Sequence, residues 1–483
     1  MERKYVRNCA LAWLSSLLII LTSGAAFAQS DWEKKVVDLI NANEFSEATS
    51  ELVSLRNLTP EEQIKKDWYF ELMRRIRIEF RYNEEQIREQ LTQDGYEPTP
   101  EKMRYWEEHR YLEMRAIDGE RRYFKHASPN LRRLDPELRA KRVVTEYDKQ
   151  ATDSRLNNCA SIIAESDGKG SLSHKRVNHF TCVATLPANT VPEGTIVRYW
   201  APFPRESCAR QQDVKLTAVI SPVERWELSP ADDLQRTLYM EKKAVKDEDV
   251  VFKYTFDTTS YAQYFSQEEL INNVKPYDEN SEVYKTYTAE YLPHMIKTDA
   301  MKAWAEQIVG DETNPVKKVS LLFDAIDAHY PWASSNEYGT MTCIPEYVLR
   351  EGHGDCGMLT LLLVSACRCV GVPAKWQSGW VMRTTGACGM HDWGEVYYEG
   401  FGWVPIDMSY GLMQSDDELV RNIYKSGLDQ YRLVINDSIG RPFFIPKEYF
   451  RSEPVDLQSG EMETAAGNLY FNKWNFVITV ETE

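Results

Sequence analysis

Three side chains in the last third of the chain have the types and order that nucleophilic acyl chemistry requires. Cys356 lies in Glu351-Gly352-His353-Gly354-Asp355-Cys356-Gly357, and the apolar run Met358 to Ala366 follows at once, ended by Gly371 and Pro373. That run reads as a buried helix with the cysteine in its first turn. Unpaired N–H groups and the positive dipole end of a helix favour a thiolate, so a lowered thiol pKa is expected. Downstream come His391-Asp392-Trp393-Gly394-Glu395-Val396-Tyr397-Tyr398 and Gly402-Trp403-Val404-Pro405-Ile406-Asp407. His391 can accept the thiol proton and return it to a leaving amine, while Asp407 fixes the imidazole tautomer.

The positioning elements are a helix followed by three strands. Ala374 to Met382 alternates as a strand, and the segments holding His391 and Asp407 read as two more. Upstream, Asn314-Pro315 opens a helix with Val316, Val319, Phe323 and Ile326 on one stripe, a pattern of ordinary core packing. A turn-rich segment from Tyr330 to Thr342 leads into a short helix that starts at Ile344-Pro345. His353 is a second candidate base, but its glycine-flanked turn favours a local structural role. Cys388 with His391, and Cys367 with Cys369, lack the repeated spacing of zinc sites, so neither metal nor cofactor is expected.

Gly354-Asp355-Cys356-Gly357, Gly371-Val372-Pro373-Ala374, His391 to Val396 and Gly402 to Asp407 resemble the transglutaminase-like catalytic core over roughly residues 295 to 412. The resemblance implies an α+β, papain-like core with Cys356 as nucleophile, His391 as base and Asp407 as orienting acid. The Cys356 N–H would supply one oxyanion donor, and Trp332, Asn336 or Tyr338 the second. Asp355, Gly357 and Trp393 are the cleft candidates, and Trp376, Trp380 and Trp403 read as core. Trp200-Ala201-Pro202-Phe203-Pro204 is similar to the β-domain that often precedes this core in bacterial members. Ile117-Asp118-Gly119-Glu120, Asn130-Leu131 and Gly467-Asn468-Leu469-Tyr470-Phe471 resemble segments of large secreted members.

The rest of the chain yields a domain plan. Residues 1–28 read as a signal peptide, with Arg3, Lys4 and Arg7 ahead of an apolar run and then Ala26-Phe27-Ala28. Export to the periplasm or cell exterior is expected, without a transmembrane segment or a lipid-bearing cysteine. Residues 29–150 read as mainly helical, with start signals at Thr59-Pro60, Thr99-Pro100 and Asp135-Pro136 and a hairpin turn at Asp118-Gly119. A winged accessory module and a helical spacer both fit this pattern. Period-two runs mark a β-rich domain over 170–265, expected as a sandwich, and the core is placed at 290–412. An extension over 413–483 carries terminal strands. The net charge of −17 argues against a nucleic-acid partner. Eight cysteines follow the signal, and a pairing of Cys343 with Cys388 could brace loops around the site.

The expected activity is acyl transfer at an amide of a peptide, protein or glycoprotein, through a thioester on Cys356. Peptide or protein hydrolysis is the leading reading. Crosslinking to an amine and a peptide N-glycanase-like amidase reaction use the same triad, and the rival from another class is a noncatalytic scaffold that holds a peptide or glycan.

Overall fold

The computed structural model describes residues 30–483, apart from 207, 293 and 384–387; the signal-peptide segment lies outside the described residues. Helices α1 (Asp31–Asn41), α2 (Phe45–Ser54), α3 (Pro60–Glu79), α4 (Glu84–Gln93) and α5 (Pro100–Glu108) begin the chain. The threonines and aspartate ahead of the prolines do cap helices. Thr59 forms a reciprocal capping box with Glu62, Thr99 accepts from Lys102 N, and Asp135 accepts from Glu137 N. Between them, β1 (Met114–Ile117) and β2 (Glu120–Tyr123) form an antiparallel hairpin. Its turn is Asp118-Gly119, with φ of 51° and 78°, the left-handed pair that a two-residue hairpin demands. Helices α6 (Ala127–Leu134), α7 (Pro136–Ala140) and the long α8 (Glu146–Glu165) complete the module.

Six strands follow: β3 (Lys169–Leu186), β4 (Ile196–Pro202), β5 (Gln211–Val219), β6 (Arg225–Leu228), β7 (Thr237–Lys243) and β8 (Val250–Phe265). They split between two sheets that share one hydrophobic core built on Phe180, Tyr199, Met240, Phe252 and Phe256. Trp200 is fully buried against Tyr239 and Phe443.

The third region comprises α9 (Gln267–Asn273), α10 (Glu282–Thr288), α11 (Asp299–Val309), α12 (Pro315–His329), α13 (Ile344–Glu351) and α14 (Cys356–Cys369), then β9 (Ala374–Met382), β10 (Cys388–Tyr398) and β11 (Gly402–Ile406). After them come α15 (Glu418–Arg421), β12 (Gly427–Leu428), β13 (Arg432–Asn436), β14 (Glu461–Thr464), β15 (Gly467–Leu469) and β16 (Asn475–Thr482). The core sheet has the order β11-β10-β9-β13. Its two faces meet different partners. Trp376 and Trp393 pack into the helical core with α14, whereas Trp380 and Leu433 pack into the β-sandwich core. This two-sided burial leaves every residue of β9 but Val381 buried, polar Lys375 and Gln377 included.

The C-terminal segment is woven into both earlier sheets. β16 pairs along β3, β14 pairs with β4, and β12 pairs with β8. The N-terminal module is equally bound in: fully buried Arg75 donates to the carbonyl oxygens of Ser452, at 3.0 Å, and Arg451. Among the described residues no helix is long and apolar enough to cross a membrane. All eight cysteines among the described residues are free thiols, so the Cys343–Cys388 pairing is not made.

Candidate active site

The turn before α14 is built to present a side chain. Gly352 closes α13 in the left-handed region (φ 76°), and Asp355 then caps α14 by accepting from Met358 N at 3.0 Å. Cys356 therefore occupies the first helical position, where its own N–H has no intrahelical acceptor. The preceding turn-rich segment is pinned against this start. Ala333 N donates to Gly354 O at 3.0 Å, and Ser335 and Tyr338 hydroxyls donate to the Asp355 carboxylate at 3.0 and 2.7 Å. Gly357 leaves room for Tyr338, whose hydroxyl a Cβ would meet at 2.2 Å and have to displace.

The N-terminal module grips the same segment. Asn130 exchanges two hydrogen bonds with the Ser334 backbone, at 2.7 and 2.9 Å, and Glu113 accepts from Asn336 Nδ2 at 2.8 Å. The module thus holds the loop that faces the cysteine.

On the sheet, His391 of β10 lies opposite Gly379 of β9, and Gly379 in turn lies opposite Val434 of β13. A Cβ at Gly379 would meet Leu433 O at 1.9 Å, so this glycine sets how closely β13 approaches. That approach brings Arg432 under the candidate triad. Asp407, just past β11 and fully buried, accepts through Oδ2 from His391 Nε2 at 2.8 Å and from Arg432 Nη2 at 3.0 Å. Its Oδ1 accepts from Tyr410 N at 3.1 Å. Burial alone would raise the Asp407 carboxyl, but His391 and Arg432 outweigh it and hold it well below the usual carboxylate range. Arg432 also donates to Asp429 at 3.0 Å, and the ring of Tyr410 covers both His391, centroids 4.8 Å apart, and the Arg432 guanidinium, at 4.4 Å. Sequence reasoning missed Arg432, which no motif marks.

The thiol departs from expectation. Cys356 Sγ donates to Asp392 Oδ2 at 2.9 Å, and burial, followed by the Asp392 and Asp355 carboxyls, pushes its pKa well above the ordinary thiol value. The helix N-terminus is outweighed in this arrangement. Asp392 is itself pushed well up, by burial and then by Asp456 and Asp355, and its Oδ1 accepts from Gln458 Nε2 at 3.0 Å. Asp456 is raised to about 7, again chiefly by burial.

Cys356 and Met390 sit on a ridge between two cavities. One, of about 530 Å3, is lined by Cys356, His391, Trp332, Tyr410 and three arginines. The other, of about 490 Å3, is lined by Cys356, Tyr338, Asp355, Asp392, Glu453 and Asp456. Among the oxyanion candidates, Trp332 faces the first cavity, stacked under Arg133 at 4.1 Å, and its indole N–H donates to no described residue. Asn336 is not free, because its Nδ2 donates to Glu113 and, at 2.9 Å, to Tyr347. The Tyr338 hydroxyl is committed to Asp355. Of the cleft candidates, Asp355 lines the acidic cavity. Gly357 lies beneath Tyr338, and fully buried Trp393 donates to Gln377 at 2.9 Å and faces neither cavity. Both ring nitrogens of buried His353 lack partners, and burial lowers its pKa, which keeps it neutral.

Residues 302–408 match the transglutaminase-like superfamily. An uncharacterized protein of Haemophilus influenzae is 30% identical over 159 residues, a match that spans 26% of this chain and only 40% of that protein. Among solved structures, a candidate cysteine protease from Cytophaga hutchinsonii is 13% identical, covering 65% of this chain and 92% of that one, with a TM-score of 0.42. The periplasmic domain of TgpA from Pseudomonas aeruginosa is 11% identical, covering 50% of this chain and 98% of that one, with a TM-score of 0.27.

Proposed function

Because residues 302–408 belong to the transglutaminase-like superfamily, we propose that this chain is an exported cysteine enzyme that hydrolyses amide bonds of peptides or proteins. Cys356 is the nucleophile, His391 the base and Asp407 its orienting acid. The observation that carries this reading is the 2.8 Å contact of His391 Nε2 with fully buried Asp407, while His391 lines a cavity that Cys356 also lines. Asp407 fixes the proton on Nε2 and leaves Nδ1 as the basic nitrogen.

Catalysis begins when the thiol turns from Asp392 and gives its proton to His391. The thiolate attacks the carbonyl carbon, and the developing oxyanion is met by the Cys356 N–H and the Trp332 indole N–H. Collapse breaks the C–N bond, with the amine leaving on the proton from His391 and the thioester remaining. Water, deprotonated by His391, then cleaves the C–S bond, releasing a carboxylate and restoring the thiol. The same thioester would serve an amine acceptor in crosslinking, or follow loss of ammonia or a glycosylamine in amidase chemistry.

Iodoacetamide labelling between pH 5 and 8, with modified cysteines mapped by mass spectrometry, tests the assignment. Alkylation of Cys356 that slows on His391→Ala is expected. Labelling no faster than at other thiols, or indifferent to His391, would make the chain a noncatalytic scaffold. Incorporation of a labelled primary amine into product would separate transferase from hydrolase.

A further inference from the structure

The cavity on the His391 side carries two cations, Arg155 and Arg383, that no described carboxylate offsets, in a protein whose net charge is −17. Arg155, Arg383 and Arg432 line it, and Asp429 is the one carboxylate among its described lining residues. Asp429 is already engaged, accepting from Arg432 and from the Tyr424 hydroxyl at 2.9 Å. Arg155 and Arg383 have no ion-pair partner among the described residues. Arg155 is nevertheless placed, because its guanidinium lies 4.4 Å from the centroid of Tyr410, the ring that stacks on His391 at 4.8 Å. An unpaired guanidinium thus stands one aromatic ring away from the candidate base.

Chemistry orients this cavity. The imidazole must hand its proton to the departing nitrogen, so the leaving amine lies on the His391 side of Cys356. We infer that this cavity selects a leaving amine that carries a free carboxylate, held by Arg155 and Arg383. This specificity rests on the acyl-transfer reading above. Guanidinium forks suit such a group geometrically. The carboxylate has two sources: the α-carboxylate of a chain end, or an aspartate or glutamate side chain.

Binding to the full-length Cys356→Ala protein tests this without turnover. The probes are two N-acetylated hexapeptide libraries, identical except for a C-terminal carboxylate or carboxamide, with retained peptides read by ultrafiltration and mass spectrometry. The acid library should be retained about five-fold better, a ratio scaled to an exposed ion pair. Near parity is expected once Arg155→Gln and Arg383→Gln are combined. Enrichment of Asp- and Glu-bearing peptides from the amide library, lost in the same double variant, also upholds the inference and identifies the side-chain source. Retention indifferent to carboxylates, a preference that survives the double variant, or no retention of either library overturns it. Alkylation of Cys356 in the otherwise wild-type protein reads the nucleophile assignment separately, so either idea can fail alone.

Discussion

Arg432→Met isolates the buried charge network beneath the candidate triad. Arg432 is 2% exposed, Asp407 0% and Asp429 4%, and the guanidinium bridges both carboxylates at 3.0 Å. Methionine keeps much of the volume and leaves two buried carboxylates without their cation. Breaking a buried pair in this way costs about 3–5 kcal/mol. Trp376, Trp380 and Trp393 are buried in the same sheet, so urea unfolding followed by tryptophan fluorescence reports the loss. The pH dependence gives a second reading. Asp407 has a lowered folded pKa, so the stability it contributes is fully present above its unfolded value, near 3.8, and is lost as pH falls through the folded value. The deficit of the variant should therefore be large at pH 7 and shrink below about pH 4. Adding Asp429→Asn should recover part of the loss. A deficit under about 1 kcal/mol at pH 7, the scale of an exposed pair, would refute the claim that the network is desolvated and coupled.

Trp332→Phe removes the indole donor and should lower turnover by roughly 10²–10³-fold, the usual cost of one oxyanion donor, while Cys356 alkylation stays unchanged. Asp392→Asn takes away the carboxylate that accepts a hydrogen bond from the thiol, so iodoacetamide should label Cys356 faster at pH 7; an unchanged rate would mean that Asp392 does not hold the thiol neutral. Asp456 has its folded pKa raised from 3.8 to about 7, so it binds protons more tightly in the folded state and stability falls as pH rises across that window. Asp456→Asn should flatten that fall, seen as a Tm that declines less between pH 5 and 8 than in the wild type.

The candidate triad was legible because local rules converge on it. A glycine-bounded turn before an apolar helix puts Cys356 at an N-terminus, and the glycine- and proline-marked strands that follow carry His391 and ending Asp407. The β-domain was legible by its period-two runs, and helix starts by their caps. What escaped was decided by pairing between segments far apart in sequence. Tyr431-Arg432-Leu433-Val434-Ile435 looks like any short buried strand, and nothing in it names β9 as its neighbour or Asp407 as the acceptor of its arginine. β14 and β16 likewise read as a terminal extension, although they complete sheets begun about 260 to 300 residues earlier. The thiol was misjudged for a related reason. The helix N-terminus is a local feature, whereas Asp392 arrives on a strand and Asp456 from the C-terminal segment, and their burial together outweighs the dipole. The oxyanion segment follows the same logic: Asn336 looked available until Glu113, from a module more than 200 residues away, took its amide. The residues that do the proposed chemistry are therefore announced locally. Their protonation and availability are set by the chain's most distant parts, and truncating either flanking region should disturb the site even with all three triad residues retained.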